Sequence, residues 1–297
     1  MDPLTSARSA SIVICGAGIF GTSTAYHLSL SCPSPASVIV VDNNAFPPPP
    51  AASVDCPPLG ASYDINKIVR ADYSTPFYMG LGYEAIDAWS SSSLLKPFYH
   101  QTGWVMLDRK GSDLAERVRK NFRECGRKDP TSDKSLEDIR EAWDGLLREA
   151  KLDDFGSAYW NPEAGWAEAD KAIEAMLKEA IKRGVQYVQG SVVELLLHES
   201  PMRGVRGVKL ASGEVIEADK VVLATGAWTS QLMSKMEDRL NMEEKSRIEQ
   251  QVRAAGVCVA HFKLNREEKK RYDRMPVIIN GDDGRSPPPP ASQDTMI

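Results

Sequence analysis

Cysteine is scarce and scattered in this 297-residue chain: five in all, an odd number, with no CxxC pair. Cys15, Cys32, Cys56, Cys125 and Cys258 therefore suit a reducing compartment and argue against a disulfide framework or a metal site. No apolar run approaches the ~18 residues needed to cross a bilayer, so no membrane partner is expected. The one N-terminal apolar segment, "SIVICGAGIFG", is broken by glycines and lacks a basic flank, which argues against a signal peptide. A basic stripe interleaved with aromatics is missing too, and a net charge of -5 is spread along the chain, so no nucleic-acid partner is expected. "DRKGSDLAERVRKNFRECGRKD" is locally basic, but its mixed-in acids make it a solvated helix face. The C-terminal "DTMI" is not an SKL-type peroxisomal address, and the location expected is cytoplasmic.

What is present is an ordinary globular composition, 42% hydrophobic and 26% charged. "SIVIC" is a short β-branched run, "GTSTAYHLSLS" reads as a helix and "SVIVVD" as a second buried strand, which together make a parallel βαβ unit. The proline-rich "NNAFPPPPAAS" leaves it as a stiff loop. Residues 75–89 read as a helix, "HQTGWVMLD" as a strand and 111–151 as mostly charged helix. In "KAIEAMLKEAIKRG", Ile173, Met176, Leu177, Ala180 and Ile181 form one stripe stopped by Gly184. Three strand-like segments follow: "VQYVQGSVVELLLH", "VRGVKLASGEVIEAD" with a hairpin turn at "ASGE", and "KVVLATGAW". "VRAAGVCVAHFKL" alternates like a strand, with Cys258 expected in a core, and "PVIING" follows. Residues 285–297 are a low-complexity tail.

Gly16, Gly18 and Gly21 form G-x-G-x-x-G directly after one strand and at the opening of a helix. The first glycine permits the tight turn, the second lets backbone approach a pyrophosphate, and the third lets helix and sheet pack closely. Asp42 ends the second strand, where a carboxylate can accept from a ribose. The arrangement points to a dinucleotide and leaves NAD and FAD open. The break at Thr225–Gly226 adds a second place where backbone can approach a ligand at the end of the same sheet.

With those residues in hand, the chain resembles the D-amino-acid oxidase-like flavoproteins, in the branch of sarcosine oxidase and the fungal fructosyl amino acid (amadoriase) and saccharopine oxidases. The matching stretches are "GAGIFGTSTAYHL", "VIVVDN", "ASYDINKIVRADYS", "FYMGLGYEAIDAW", "HQTGWVML", "GVQYVQGSVVELL" and "VVLATGAW", within residues 11–284. The resemblance implies an α/β fold: a Rossmann-like FAD-binding domain from discontinuous segments, 1–90 and 160–235, and a smaller mixed-sheet substrate domain, 91–159 and 236–284. It implies FAD as cofactor, held by Gly16, Gly18, Ile19, Phe20, Gly21, Asp42, Asn43, Ser62, Asn66, Lys67, Val193, Thr225, Gly226 and Trp228. It places Lys67 beside the flavin ring and Arg70 in the substrate pocket. A cation there would stabilise charge as N5 takes a hydride, and a guanidinium would hold an amino-acid carboxylate. Read from the residues alone, both remain open to being solvated loop charges.

The activity implied is oxidation of a secondary amine of an amino acid, with oxygen as acceptor and hydrogen peroxide as product. An FAD-dependent dehydrogenase with another acceptor, or an inactive chain acting only as a binding protein, are the alternatives. Relatives of this kind include peroxisomal proteins and continue past the point where this sequence stops. The part beyond supplies the cysteine that links to flavin, a further cation and the elements that close over the ring. The expectation is a C-terminally truncated chain with weak FAD binding or none, and an unmated edge at "VRAAGVCVAHFKL" and "PVIING". A lysine for oxygen activation would fall shortly before "PVIIN"; Lys269 and Lys270 lie near, but Asp273 and Arg274 stand closer. The pattern Ala-Ser-x-Asp occurs twice, from Ala52 and from Ala61, and only the second copy runs on to Lys67 and Arg70. Residues 53–61 read either as a loop insertion or as a coincidental repeat. His100 and His261 have no carboxylate at a motif spacing and read as structural or surface residues.

Overall fold

The computed structural model describes residues 8–48, 60–198, 204–256 and 258–281. The first Ala-Ser-x-Asp copy, most of the 53–61 segment and the 285–297 tail lie outside the described residues. In chain order the elements are β1 (Arg8–Cys15), α1 (Ile19–Ser31), β2 (Val38–Asp42), β3 (Lys67–Val69), α2 (Pro76–Ser91), β4 (Tyr99–His100), β5 (Trp104–Arg109), α3 (Leu114–Glu124), β6 (Ser132–Lys134) and α4 (Leu136–Gly145). Then follow β7 (Phe155–Asn161), β8 (Gly165–Ala167), α5 (Ala169–Lys182), β9 (Gln186–Gln189), β10 (Val192–Leu197), β11 (Val205–Leu210), β12 (Val215–Leu223), α6 (Thr229–Arg239), α7 (Arg266–Tyr272) and β13 (Val277–Gly281). Among the described residues, no helix is long and apolar enough to cross a membrane.

The chain forms two compact units, Met1–Ile65 with Ala169–Val259, and Asn66–Glu168 with Ala260–Ile297. The first holds a six-stranded sheet in the order β10-β11-β12-β1-β2-β9. β1 pairs parallel with β2 and with β12, and β2 pairs parallel with β9, while β10, β11 and β12 form an antiparallel meander. Strand residues alternate between two cores, as the period of two requires. Ile14, Val38 and Val40 face Leu177, Ala180 and Val185 on the helical side, where α1 packs on α5. Val13, Cys15, Ile39 and Val41 face the other way, into a core shared with Leu195, Val208, Leu210 and Ile216. The stripe of α5 therefore does what its periodicity predicts.

The second unit holds a four-stranded sheet, β13-β5-β7-β6, and a three-stranded one, β3-β8-β4. On one face Trp104, Met106 and Tyr159 pack with Met79 and Tyr83 of α2 and with Val118 and Phe122 of α3. On the other, Val105, Leu107 and Ala158 pack with Ile139 of α4 and with Leu152. Shared packing of Ala71, Met79 and Tyr83 with Trp104 and Tyr159 is why residues 66–90 group here by compactness, although the sequence assigned them to the cofactor domain. Residues 236–259 group with the first unit, where the backbone N–H of Ile248 donates to the buried Glu237 carboxylate at 2.9 Å.

Three expectations about local structure change. β12 is one strand running through Asp219 and Lys220, so the hairpin arm and "KVVL" are continuous. The charges that seemed to split them are exposed, on a strand that still pairs with β1 along its length. Residues 111–151 hold two helices with β6 between them, and α4 has non-helical φ/ψ at Ala142, Trp143 and Asp144. Among the described residues of 252–264 there is no strand, and Val252, Cys258, Val259, Phe262 and Leu264 are exposed. Alternation can mark a face, but a strand also needs a ladder to join, and among the described residues no strand pairs with these. Cys258 is thus a surface residue and not a core one.

Leu177, buried between α1 and α5, anchors the helical side of the first sheet. Leu177→Ala is expected to cost about 2–5 kcal/mol, from lost transfer energy and the cavity left behind. Urea unfolding followed by far-UV circular dichroism measures it.

Candidate functional site

The glycine loop in the first unit is built by backbone meeting backbone. Gly16 adopts φ +101°, and a Cβ there would lie 2.5 Å from the Ala224 carbonyl oxygen at the end of β12. Its N–H donates to Val41 O of β2 at 2.7 Å. A Cβ on Gly21 would sit 1.8 Å from Gly16 O, so α1 can lie this close to the loop only without a side chain there. Gly18 is the N-cap of α1 and has no side-chain cap, and no acidic residue occupies the first turn. The N-terminus of a 13-residue helix thus presents its N–H groups and the positive end of its dipole without a resident carboxylate.

Ser62 reaches this loop: its Oγ accepts from Ile19 N–H at 2.9 Å and would lie 3.1 Å from a Cβ on Gly18. Ile19 and Phe20 are exposed, Phe20 at 80%. Asp42 has a second task that the sequence did not reveal. Its Oδ2 accepts from Ala17 N–H at 2.7 Å, and its Oδ1 accepts from Asn44 N–H at 2.9 Å and Asn44 Nδ2 at 2.8 Å. The carboxylate fixes the glycine loop to the end of β2 and keeps limited acceptor capacity for a ribose. Asn43 is exposed beside it, and its carbonyl accepts from Gln189.

Thr225 and Gly226 form a turn just after β12, with Gly226 at φ +50° and open space where a Cβ would be. Trp228 N–H donates to Thr225 O at 3.0 Å, and the Trp228 ring is 46% exposed. The structure therefore brings Gly16, Gly18, Gly21, Ile19, Asp42, Ser62 and the Thr225 turn to one end of one sheet. Val193 is half-buried on β10 at the sheet's edge, away from that cluster in strand order. A pyrophosphate-bearing dinucleotide fits this cradle: the space that two glycines keep clear is backed by the start of α1, where no acidic side chain stands and Ser62 Oγ takes the Ile19 N–H.

Asn66, Lys67 and Arg70 belong to the second unit. Asn66 and Lys67 are exposed, and Lys67 opens β3, paired in register with Ala167 of β8. Arg70 is half-buried and tightly held. Its guanidinium lies over the Tyr73 ring at 4.1 Å and the Trp104 ring at 4.8 Å, and Nη1 donates to the backbone carbonyl of Asp72. Gly82 lets α2 pass directly over this segment, since a Cβ there would be 2.6 Å from Arg70 O. A cavity of about 290 Å³ opens beside Arg70, lined also by Ile68, Val69, Tyr73, Tyr78, Leu81, Gly82, Ala85 and Trp89.

Beneath it lies a polar cluster that sequence reading missed. Asp72 is 3% exposed, Tyr159 Oη donates to its Oδ1 at 2.9 Å, and Asn161 Nδ2 donates to its Oδ2 at 2.8 Å. Burial pushes the carboxyl up to about 6, against the pull of those two hydrogen bonds and of Arg70. Tyr159 is itself pushed far up, by burial and by Asp72. His100 also has a partner the spacing did not reveal, Glu168 at 3.1 Å, and its ring stacks on Trp166. Cys15 is buried, and burial pushes its thiol up to about 12, so it is not a nucleophile at neutral pH. Lys269 and Lys270 lie in the last turn of α7, on its exposed surface.

With this geometry established, comparison with known proteins assigns the class. A model of the FAD dependent oxidoreductase (DAO) family matches residues 11–286, and the chain belongs to that family of FAD-dependent enzymes. It is 29% identical over 293 residues to L-saccharopine oxidase of Schizosaccharomyces pombe, covering 95% of this chain and 62% of the relative. It is 27% identical to the amino acid oxidase fsqB of Aspergillus fumigatus, covering 91% and 57%. Among solved structures, a modified fructosyl peptide oxidase from Aspergillus nidulans superposes with a TM-score of 0.71 at 26% identity, over 92% of this chain and 60% of that one. Fructosamine oxidase (Amadoriase II) from Aspergillus fumigatus, in complex with FSA, gives 0.67 at 26% identity, over 92% and 58%. The chain thus spans about three-fifths of the length of these relatives.

The Asp72 carboxyl binds its proton more tightly folded than unfolded. Its contribution to stability is full below the unfolded value of 3.8 and is lost as pH rises through about 6. Asp72→Asn is therefore expected to gain on the wild type, by on the order of 3 kcal/mol, between about pH 4 and about pH 8. Paired urea melts at the two pH values measure it; an unchanged difference would place the Asp72 proton elsewhere.

Proposed function

We propose that this chain acts in the FAD-dependent oxidation of amino acids at a secondary amine, with oxygen as electron acceptor. The observation that carries the reading is Arg70, a guanidinium held by two aromatic rings and a carbonyl at the wall of a small cavity. An arginine so restrained is pre-organised to take a carboxylate in its plane, which orients the neighbouring carbon–nitrogen bond. Saccharopine and fructosyl peptides, named in the relatives, both carry a secondary amine on an amino-acid carbon, and the proposal takes that shared chemistry from them.

The roles follow residue by residue. Backbone N–H groups at Gly18, Ile19 and Phe20 hold the pyrophosphate at the start of α1, that of Ile19 in exchange for its bond to Ser62 Oγ, with Gly16 and Gly21 keeping the approach clear. Asp42 and Asn43 face the ribose, Val193 serves the adenine end through its backbone, and Ser62 and Asn66 line the path of the cofactor. Thr225, Gly226 and Trp228 form the wall at the end of β12. FAD, when bound, supplies the hydride acceptor. Lys67 provides positive charge for that acceptor, and Arg70 binds the substrate carboxylate. No general base is assigned, because an amine bound in its neutral form needs none.

The test has two stages. The purified chain, supplied with FAD, is first examined for flavin absorbance before and after acid precipitation, with Gly21→Ala expected to lose the flavin. Oxygen uptake is then measured with N-alkyl amino acids. Arg70→Lys is expected to lower kcat/KM on the order of 10- to 100-fold, chiefly through KM, as a charged, bidentate contact is lost. Secondary-amine amino acids that neither reduce bound flavin nor drive oxygen uptake would overturn the reading; flavin reduction without oxygen uptake would indicate a dehydrogenase.

A further inference from the structure

The Asp72 carboxyl has no part in the reading above, yet it sits directly behind the residue that carries it. Its carboxylate is sealed from solvent, its two oxygens take one hydrogen bond each from Tyr159 and Asn161, and its backbone carbonyl holds Arg70. The rings of Tyr73 and Trp104 cover the guanidinium, so a ligand meets Arg70 along its in-plane N–H edge. In the free protein the Arg70 cation and the Asp72 anion balance. A carboxylate arriving at Arg70 brings a second negative charge into the same half-buried space, leaving one cation between two anions.

We propose that Asp72 is the positioning residue for Arg70 and that it takes up one proton from solvent when a carboxylate ligand binds there. The inference rests on the reading that Arg70 binds a carboxylate. The charge then balances in both states: one cation and one anion before binding, and one cation, one ligand anion and a neutral acid after it. Such neutralisation is the usual response of a buried group to a like charge nearby. The groups that act on Asp72 favour this role. Arg70 is permanently charged, and Tyr159 of β7 and Tyr83 of α2 are both pushed well above their ordinary values by burial, so neither phenol titrates near neutrality. Asp72 itself is already raised to about 6 by burial, so little more is needed to protonate it at pH 7. Tyr159 Oη can turn to accept from the protonated carboxyl.

The experiment is isothermal titration calorimetry of the full chain with phenylacetate, which carries no amine to titrate. Titrations at pH 7 in two buffers of different ionisation heat give the number of protons exchanged. The expected result is uptake approaching one proton per ligand bound, with affinity falling about tenfold per pH unit above pH 6 while Asp72 is protonated only in the complex. Asp72→Asn should bind phenylacetate with no proton uptake and little pH dependence, and Arg70→Met should not bind it. If Asp72→Asn does not fold, Tyr159→Phe replaces it: losing one hydrogen bond to the ionised form should move the pH dependence upward. Wild-type binding with no proton uptake, or uptake unchanged in Asp72→Asn, would overturn the proposal and leave Arg70 as the carboxylate site. Binding that survives Arg70→Met, or no binding by the wild type, would overturn the premise about Arg70 and the proposal with it.

Discussion

The first unit depends on one close approach: Gly16 against the Ala224 carbonyl, with Gly21 against Gly16 itself. Three elements converge where no Cβ fits. β1 ends at Cys15, β12 ends at Leu223, and α1 must start within a few residues to cover both. Ala224 N–H donates to Cys15 O at 2.8 Å and Gly16 N–H to Val41 O at 2.7 Å, so this loop is an extension of the sheet as well as a turn. Once backbone is packed this tightly, the start of α1 has its N–H groups aimed past the strand ends, with Ser62 Oγ the side-chain acceptor that meets them, at Ile19. The anion-binding role proposed for this loop follows from the packing, with no added cationic side chain required.

That is why this half of the molecule is so legible in the sequence. The constraint is local, it demands glycine at fixed offsets, and the β-branched runs "SIVIC" and "VIVVD" on either side have the period that a buried parallel sheet requires. The carboxylate of Asp42 shows the limit of such reading. Position and chemistry pointed to a ribose, but three hydrogen bonds to Ala17 and Asn44 make the same residue part of the loop's own construction. A motif fixes where a residue stands, and several physical roles can share the place.

The second unit was legible only in part, because its site is made by contacts distant along the chain. Arg70 could be singled out through its segment, but Asp72 meets Tyr159 and Asn161 across 87 and 89 residues, and nothing in their spacing marks the pairing. His100 and Glu168, 68 residues apart, escaped for the same reason. Periodicity misled in the opposite sense at 252–264, where the described residues are exposed and form no strand. At β12 it was the interruption that misled: Glu217, Asp219 and Lys220 broke the apolar run while their backbone continued the ladder with β1. Patterns along the chain report which side chains want burial; they do not report which strand or acid will be waiting.

The two clusters solve the same electrostatic problem by different means. At the start of α1, attraction for an anion comes from backbone dipoles, which carry no net charge to desolvate and so permit close packing. At Arg70 it comes from a full positive charge on a half-buried side chain, and burying such a charge is costly unless something balances it. Asp72 supplies the balance, and its own burial is tolerated because Tyr159 and Asn161 satisfy both oxygens. Removing either partner alone would leave the other charge facing an apolar surround of Met79, Tyr83 and Trp104. Arginine and aspartate are therefore one device, and the carboxylate that we propose Arg70 binds is the third charge that it would have to accommodate.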